Sequence, residues 1–364
     1  MIDAIRKIVV NILTVVNLVM VGLLLFSGYS DHIQPIGHEW IACAGMLLPL
    51  AAVANLLFIP LWIFIAWRRL WIPLAGLALA YVPIRIYMPL HGHTEVPDGA
   101  LTIMSWNVHN YSGNGGQEEN VMDSIFNYLR QQQPDILCLQ EASPRKKTKE
   151  EYAKMFLYNE VDTVSKKVAS NTNVQSLHTR FPVLRKERVE YESESNGSMA
   201  YFLLIDGDTV IVINNHLEVT HLSTNDRARY KTMLHGNMER DTAKAETLFL
   251  VKRIGQSMAT RARQADAIHQ YVETHRRYPI ILCGDFNDTP ISYARRTIAK
   301  GLTDCFVEAG NGLGISFNQK GFNFRIDHLM VSKHFTPYTC KIDVKISLSD
   351  HYPLTCRLKM ADKP

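Results

Sequence analysis

Charge is what the first quarter of this sequence lacks. The 364 residues include 39 Lys and Arg and 35 Asp and Glu, yet only five basic and three acidic residues fall among the first 94. A water-soluble chain does not leave runs of some twenty apolar residues uncharged, and a disordered one has too little apolar content to hold them, so both classes are excluded. Nor is there an excess of one sign, since residues 95–364 carry only +2 of the chain's net +4. That balance gives no strong field for gripping a polyanion and argues against a basic nucleic-acid binder. Cysteine is sparse, six in all, with no CxxC pair and no HExxH, which disfavours zinc. Cys43 lies in an apolar run, and Cys138 and Cys283 lie in strand-like ones. Cys305, Cys340 and Cys356 remain, an odd number that makes no disulfide framework, although Cys340 and Cys356 could meet on neighbouring strands. No GxxxxGK[ST] loop is present, which excludes P-loop hydrolysis of nucleotides; Gly-Asn-Gly-Gly at 113–116 reads as a flexible turn. The absence of GxSxG removes the usual serine-esterase elbow. Repeats and low-complexity linkers are missing after Pro97.

What fills the first 94 residues is hydrocarbon. Three runs, about 8–30, 41–67 and 70–90, are long and apolar enough to cross a ~30 Å hydrocarbon core, the third interrupted by Arg85 near its end. Prolines at 49, 60, 73 and 83 would damage soluble helices, but membrane helices tolerate them. The first run reads as a span and not as a cleaved leader, because two more follow it. Residues 1–94 are thus a transmembrane anchor of about three helices and residues 95–364 a separate catalytic domain. Arg6 and Lys7 precede the first run and Arg68 and Arg69 separate the second from the third, whereas 31–40 and 91–100 hold no Lys or Arg. The positive-inside rule then leaves the N-terminus in the cytoplasm and, with three spans, residues 95–364 on the extracytoplasmic side of an inner or plasma membrane. With two spans the same rule would leave them inside.

The rest of the chain alternates strand and helix signals. Strands are expected at Leu101–Val108, Asp135–Gln140, Tyr278–Cys283, Phe324–Val331, Tyr338–Val344 and Pro353–Leu358. Tyr201–Ile205 and Thr209–Asn215 flank Asp206-Gly207-Asp208 as a hairpin. Helices are expected over Gln117–Gln133 and the long polar stretch Asn225–His275, with Gly236 and Gly255 as possible breaks. Hairpins mixed with helical crossovers point to a largely antiparallel α/β layered fold.

Polar clusters close these strands. They are Asn107 in Ser-Trp-Asn-Val-His, Glu141 in Cys-Leu-Gln-Glu, His216 in Asn-Asn-His-Leu, Asp285 and Asn287 in Gly-Asp-Phe-Asn, Asp327 in Arg-Ile-Asp-His, and Asp350 with His351 in Ser-Asp-His-Tyr. Any one of them reads equally well as a turn former or cap. Together they make a phosphoester-hydrolysis set: carboxylate and amide oxygens suit a hard cation such as Mg²⁺ or Mn²⁺. A carboxylate can activate water, and an Asp-oriented His can hold phosphoryl oxygens.

The order of the clusters resembles the endonuclease/exonuclease/phosphatase superfamily over roughly residues 100–360, and Thr179-Arg-Phe-Pro-Val183 is similar to another of its segments. The resemblance implies two packed, mixed and largely antiparallel β-sheets flanked by helices, a four-layer sandwich, and an active enzyme. It implies Glu141, with Asn107 and Asp350, at the metal. It implies Asp285 at the attacking water, Asn287 on that Asp or a phosphoryl oxygen, His216 and His351 flanking the phosphate, and Asp327 pairing with His351. Arg180 of the Thr-Arg-Phe-Pro-Val segment would contact substrate. His216 in Asn-His-Leu is similar to the deoxyribonuclease, sphingomyelinase and phosphatase branches. A membrane-anchored phosphodiesterase or phosphatase on a lipid-type or small phosphoester is the leading expectation. Extracytoplasmic cleavage of nucleic acid is the alternative, and a non-catalytic membrane binding module the second. No obligate protein partner is called for. Arg145, Lys146, Lys147 and Lys149 could meet an anion, and Asn225–Arg263, with His221 and Arg227, is the expected specificity element.

Overall fold

The computed structural model describes residues 2–92, 94–114, 120–164, 174–193, 196–220, 232, 240–319 and 322–361. His221, Arg227 and Gly236 lie outside them. The chain begins with α1 (Ile2–Gly28), a short α2 (Glu39–Ala42) and α3 (Leu48–Ile65). Then come α4 (Trp71–Leu79) and α5 (Tyr81–Tyr87). Two helical stretches, Asp3–His32 and Glu39–Ile65, are long and apolar enough to cross a membrane. The third run is bent by 58° between Leu79 and Tyr81. Pro83 explains the break: it has no N–H for the carbonyl of Leu79, four residues back. That carbonyl instead accepts from the Tyr29 hydroxyl at 2.7 Å. A buried polar chain ties α1 to α3: Trp62 Nε1 donates to Asn17 Oδ1 (2.8 Å), and Asn55 Nδ2 donates to the Met20 carbonyl (3.0 Å). Between apolar helices such bonds supply the specificity that greasy surfaces lack.

The N-terminal helices pack onto the domain that follows. Gly255 abuts α2 so closely that a Cβ would stand 2.4 Å from the Glu39 carbonyl oxygen, and one on Gly45 would stand 2.2 Å from that of Ile291. Arg85 pairs with Glu308 at 3.1 Å, and Arg325 donates to the Ile86 carbonyl.

The domain holds two six-stranded sheets among the described residues. The first runs β13-β14-β1-β2-β4-β3 and the second β5-β6-β7-β8-β12-β9. In the first sheet the strands are β1 (Leu101–Asn107), β2 (Ile136–Gln140), β3 (Tyr158–Thr163), β4 (Val174–Thr179), β13 (Phe335–Ile342) and β14 (Leu354–Met360). In the second they are β5 (Val183–Val189), β6 (Gly197–Ile205), β7 (Asp208–His216), β8 (Ile280–Asp285), β9 (Thr303–Asp304) and β12 (Asp327–Val331). A separate ribbon pairs β10 (Phe317–Gln319) with β11 (Phe322–Phe324). Each sheet has one parallel pair, β1/β2 and β7/β8, and is otherwise antiparallel.

Alternation along the strands builds three apolar layers. Ile103, Cys138, Tyr201, Val212, Leu329 and Cys356 meet between the sheets. Trp106, Leu137 and Leu139 face away from them, toward Ile125 and Leu129 of α6 (Val121–Gln132) and Tyr152 of α7 (Lys146–Met155). On the far side Phe202, Ile211 and Ile213 meet Ala265, Ile268 and Val272 of α8 (Arg240–Thr274) and Ile298 of α9 (Tyr293–Ile298). The result is the expected helix–sheet–sheet–helix sandwich. Gly255 does not break α8, contrary to expectation; it is the point where the anchor touches it. The stretch expected as one strand from Phe324 divides into β11 and β12. Cys340 and Cys356 do sit opposite each other on β13 and β14, as free thiols.

Candidate active site

The two parallel pairs decide where the chemistry collects. Parallel neighbours end at the same edge, so the last residues of β1, β2, β7 and β8 share one rim. Asn107 ends β1 and Glu141 follows β2; His216 ends β7 and Asp285 ends β8. An antiparallel neighbour begins where its partner ends: Asp327, the first residue of β12, lies opposite Asp285 in register. By the same rule His351 precedes β14, whose Leu354 faces Ser105 of β1.

Asp285 Oδ2 is the hub. It lies 3.6 Å from His216 Nε2 and 3.5 Å from His351 Nε2, and it accepts from Asn107 Nδ2 at 3.1 Å. The Asn107 amide also donates to Glu141 Oε1 at 3.2 Å, and the main-chain N–H of Asn287 donates to Asp285 Oδ1 at 2.8 Å. Behind the hub, Asp327 Oδ2 and His351 Nδ1 are bonded at 2.8 Å. Asp350 stands beside His109, 3.8 Å from its Nδ1, and accepts from Gln319 at 3.2 Å. Glu141 and Asn287 both hold φ at 51°, a left-handed conformation that costs ~1 kcal/mol or more for such residues and gathers where function demands it.

The electrostatics are uneven. Burial pushes the Asp285 carboxyl above its ordinary range. Burial raises Glu141 too, and the charge of Asp350 adds to it. Burial opposes the charge on His351, but Asp327 and Asp285 outweigh it and hold the imidazole well above its ordinary range. Burial lowers His216, whose two ring nitrogens have no hydrogen-bond partner in the structure. A carboxyl raised by burial, an imidazole lowered by it and a second imidazole raised by its carboxylate neighbours thus face a common point.

A cavity of about 310 Å³ opens there, lined on its polar side by Glu141, His216, Asp285, Asn287, Asp350 and His351. Asn107 and Asp327 bond directly to that lining. Arg180 does not join it. β4 runs antiparallel to β2, so the residue after β4 sits at the edge where β2 begins, and there Arg180 pairs with Asp135 at 3.0 Å. The five residues of β2 separate it from Glu141, ~16 Å at ~3.3 Å each. The basic run opens α7, where Lys147 pairs with Asp123 at 2.6 Å. Missed by sequence reasoning was Arg261, a guanidinium of α8 only 1% exposed that lines the cavity and is bonded to Asp288 at 3.2 Å. It lies in Asn225–Arg263, the expected specificity element, but helical spacing does not say which neighbour a face meets.

The donor set fits a hard cation. Two carboxylates, Glu141 and Asp350, line one cavity, and their mutual repulsion is what a bound cation relieves. Asp285, Asp327 and His351 also approach one another within 4.8 Å, but the charged imidazole bonded to Asp327 makes that group an acid–base assembly.

A family model described as Endonuclease/Exonuclease/phosphatase family matches residues 104–351. The chain belongs to that family. Its members are phosphoester hydrolases that use a divalent metal, and this chain is an enzyme of that class. A second model, for a domain of unknown function, matches residues 9–87. No curated protein matches the sequence. Among solved structures, an endonuclease/exonuclease/phosphatase from Beutenbergia cavernae is similar in fold, with TM-score 0.52 and 15% identity over 73% of this chain and 72% of that one. The human Nocturnin catalytic domain with bound sulfate anion gives TM-score 0.51 and 16% identity over 73% of this chain and 97% of that one. The fold that the endonuclease/exonuclease/phosphatase resemblance implies is therefore the fold observed.

Proposed function

We propose that this protein is a membrane-anchored, metal-dependent phosphoester hydrolase whose domain, residues 95–364, faces the extracytoplasmic side and acts on a lipid-type or small phosphoester. The observation that carries this reading is the convergence of His216 and His351 on Asp285 beside Glu141 in one cavity. Asp285, made more basic by burial and oriented by the Asn287 N–H, orients the attacking water and accepts its proton. The new bond joins water oxygen to phosphorus, and the ester oxygen departs. His351, kept charged by Asp327, and His216 donate to the phosphoryl oxygens. Glu141, Asp350 and Asn107 would hold Mg²⁺ or Mn²⁺, which when bound polarises a phosphoryl oxygen and offsets developing charge.

The anchor's geometry supports the topology. Arg6 donates to the Ile65 carbonyl, which gathers Arg6, Lys7, Arg68 and Arg69 at one end of the bundle. Arg85 and Ile86, at the other end of the bent pair, touch the hydrolase domain. A run that begins at one end and finishes at the other supports reading the bent pair as a third crossing, and the positive-inside rule supports a cytoplasmic basic end.

Full-length protein in detergent with Mg²⁺ or Mn²⁺ should hydrolyse bis-p-nitrophenyl phosphate, and EDTA should abolish the turnover. Turnover no greater than that of His351→Ala would replace this reading with a binding module. Cleavage of plasmid DNA in preference to every lipid phosphoester would replace the substrate class with nucleic acid.

A further inference from the structure

The polar wall accounts for only half of the active-site cavity. Its other lining residues include Met46, Ile254, Met258, Phe324 and Ile326, with Phe317 packed edge-on against His351 at 5.0 Å. The origin of these apolar residues is unusual for a hydrolase domain. Met46 belongs to the anchor, in the 3₁₀ turn Cys43–Leu47 that runs straight into α3. Ile254 and Met258 belong to α8, one turn apart, with Arg261 on the same face a further turn along, closer to the hydrolytic centre. The anchor and α8 are locked together at this level. Gly255 lies against Glu39, and the Cys43 thiol approaches the Val251 carbonyl at 3.6 Å. Apolar side chains also stand out from the same two elements: Trp40 is 66% exposed, Leu248 71% and Phe249 44%. Exposed aromatic and aliphatic residues at the end of a membrane helix mark the boundary between headgroups and hydrocarbon. The mouth of the cavity is thus flanked by the surface from which a lipid would come.

We propose that Met46, Ile254 and Met258 form an apolar subsite that takes the first methylenes of a membrane lipid's hydrocarbon chain while its phosphoester lies at Asp285, so that the anchor completes the substrate site. The proposal rests on the hydrolase reading above. Near-neutral charge over residues 95–364 removes the long-range attraction that a nucleic-acid strand would use, and the walls contributed by Met46, Ile254 and Met258 are aliphatic or thioether, suited to a hydrocarbon chain. Ile254 and Met46 are only half-buried, so they hold apolar surface that a chain would cover.

The test is a series of alkyl p-nitrophenyl phosphates, ethyl to octyl, hydrolysed by the full-length protein below the micelle concentration of each ester. Burying one methylene is worth roughly 4-fold in affinity, so kcat/KM should rise at least about 10-fold from ethyl to octyl, chiefly through KM. Met46→Ser and Ile254→Ser should each pull the octyl-to-ethyl ratio toward 1, and Met46→Leu should restore it. Leu184→Ser, on an exposed part of β5, should keep the wild-type ratio. Hydrolysis with a flat chain-length profile, or a profile unmoved by Met46→Ser and Ile254→Ser, overturns the subsite and leaves the hydrolase standing. No hydrolysis of any ester, ethyl included, overturns both.

Discussion

Asp285 Oδ2 accepts a hydrogen bond from Asn107 and stands within 3.6 Å of the His216 and His351 imidazoles, three side chains from segments far apart in the chain. Removing a group from such a centre should cost ~10²-fold or more in rate, for Asp285→Ala as for His351→Ala. The measurement is kcat/KM for bis-p-nitrophenyl phosphate, and a near-wild-type value for either variant would remove its residue from the chemistry. A second prediction concerns Asp304, which caps α10 (Cys305–Ala309) through the N–H groups of Phe306 and Val307 and pairs with the buried Arg295 at 2.6 Å. Burial works against its charge, but Arg295, then His328 and Arg325, hold its carboxyl down at about 2. A depressed folded pKa contributes stability above the unfolded value of ~3.9, and that stability drains away as pH falls from there through about 2. The contribution is on the order of 2 kcal/mol at neutral pH. Thermal melts in detergent at pH 6 and pH 3 should therefore separate less for Asp304→Asn than for wild type. Equal acid sensitivity of the two would refute it.

The glycine at 255 is the hinge of the argument about elements: α8 passes the anchor at a distance that only a missing side chain permits. Gly255→Val should wedge α2 away and cost ~1–3 kcal/mol, read as a drop in Tm of several degrees. Gly22→Val, with nothing within 4 Å of the added Cβ, is the control that should leave Tm in place. The central strands were legible in the sequence because each buries both faces and reads as an unbroken apolar run, as Ile136–Gln140 and Ile280–Asp285 do. β5 was not, because it is an edge strand carrying Arg185, Lys186, Glu187 and Arg188, a charge pattern that protects an edge and erases the strand signal. The same distinction applies to the site. Residues that close apolar runs announced themselves. Which rim a strand end reaches depends on strand direction, and β4 runs the other way, so Arg180, expected to contact substrate, lies at the edge away from the cavity. Met46 carries no local signal, and Arg261 none beyond its place in the basic stretch Asn225–Arg263, since each becomes part of the cavity only through packing between segments distant in the chain.

At the scale of the whole molecule the bundle has a basic end and a hydrolase end. The proposed three passes, an odd number, would put the chain termini in different compartments. A fluorescent protein that matures only in the cytoplasm should therefore light up when fused to the N-terminus and stay dark after residue 361. Fluorescence at both ends would reduce the anchor to two passes and move the hydrolase domain inside.

Met46 and Asp285 line the same cavity. On the proposed reading, an enzyme whose binding site is completed by its own membrane anchor would search for substrate in two dimensions. Its velocity in vesicles should then follow the mole fraction of phosphoester in the bilayer, falling on dilution with inert lipid even when the bulk concentration is held constant.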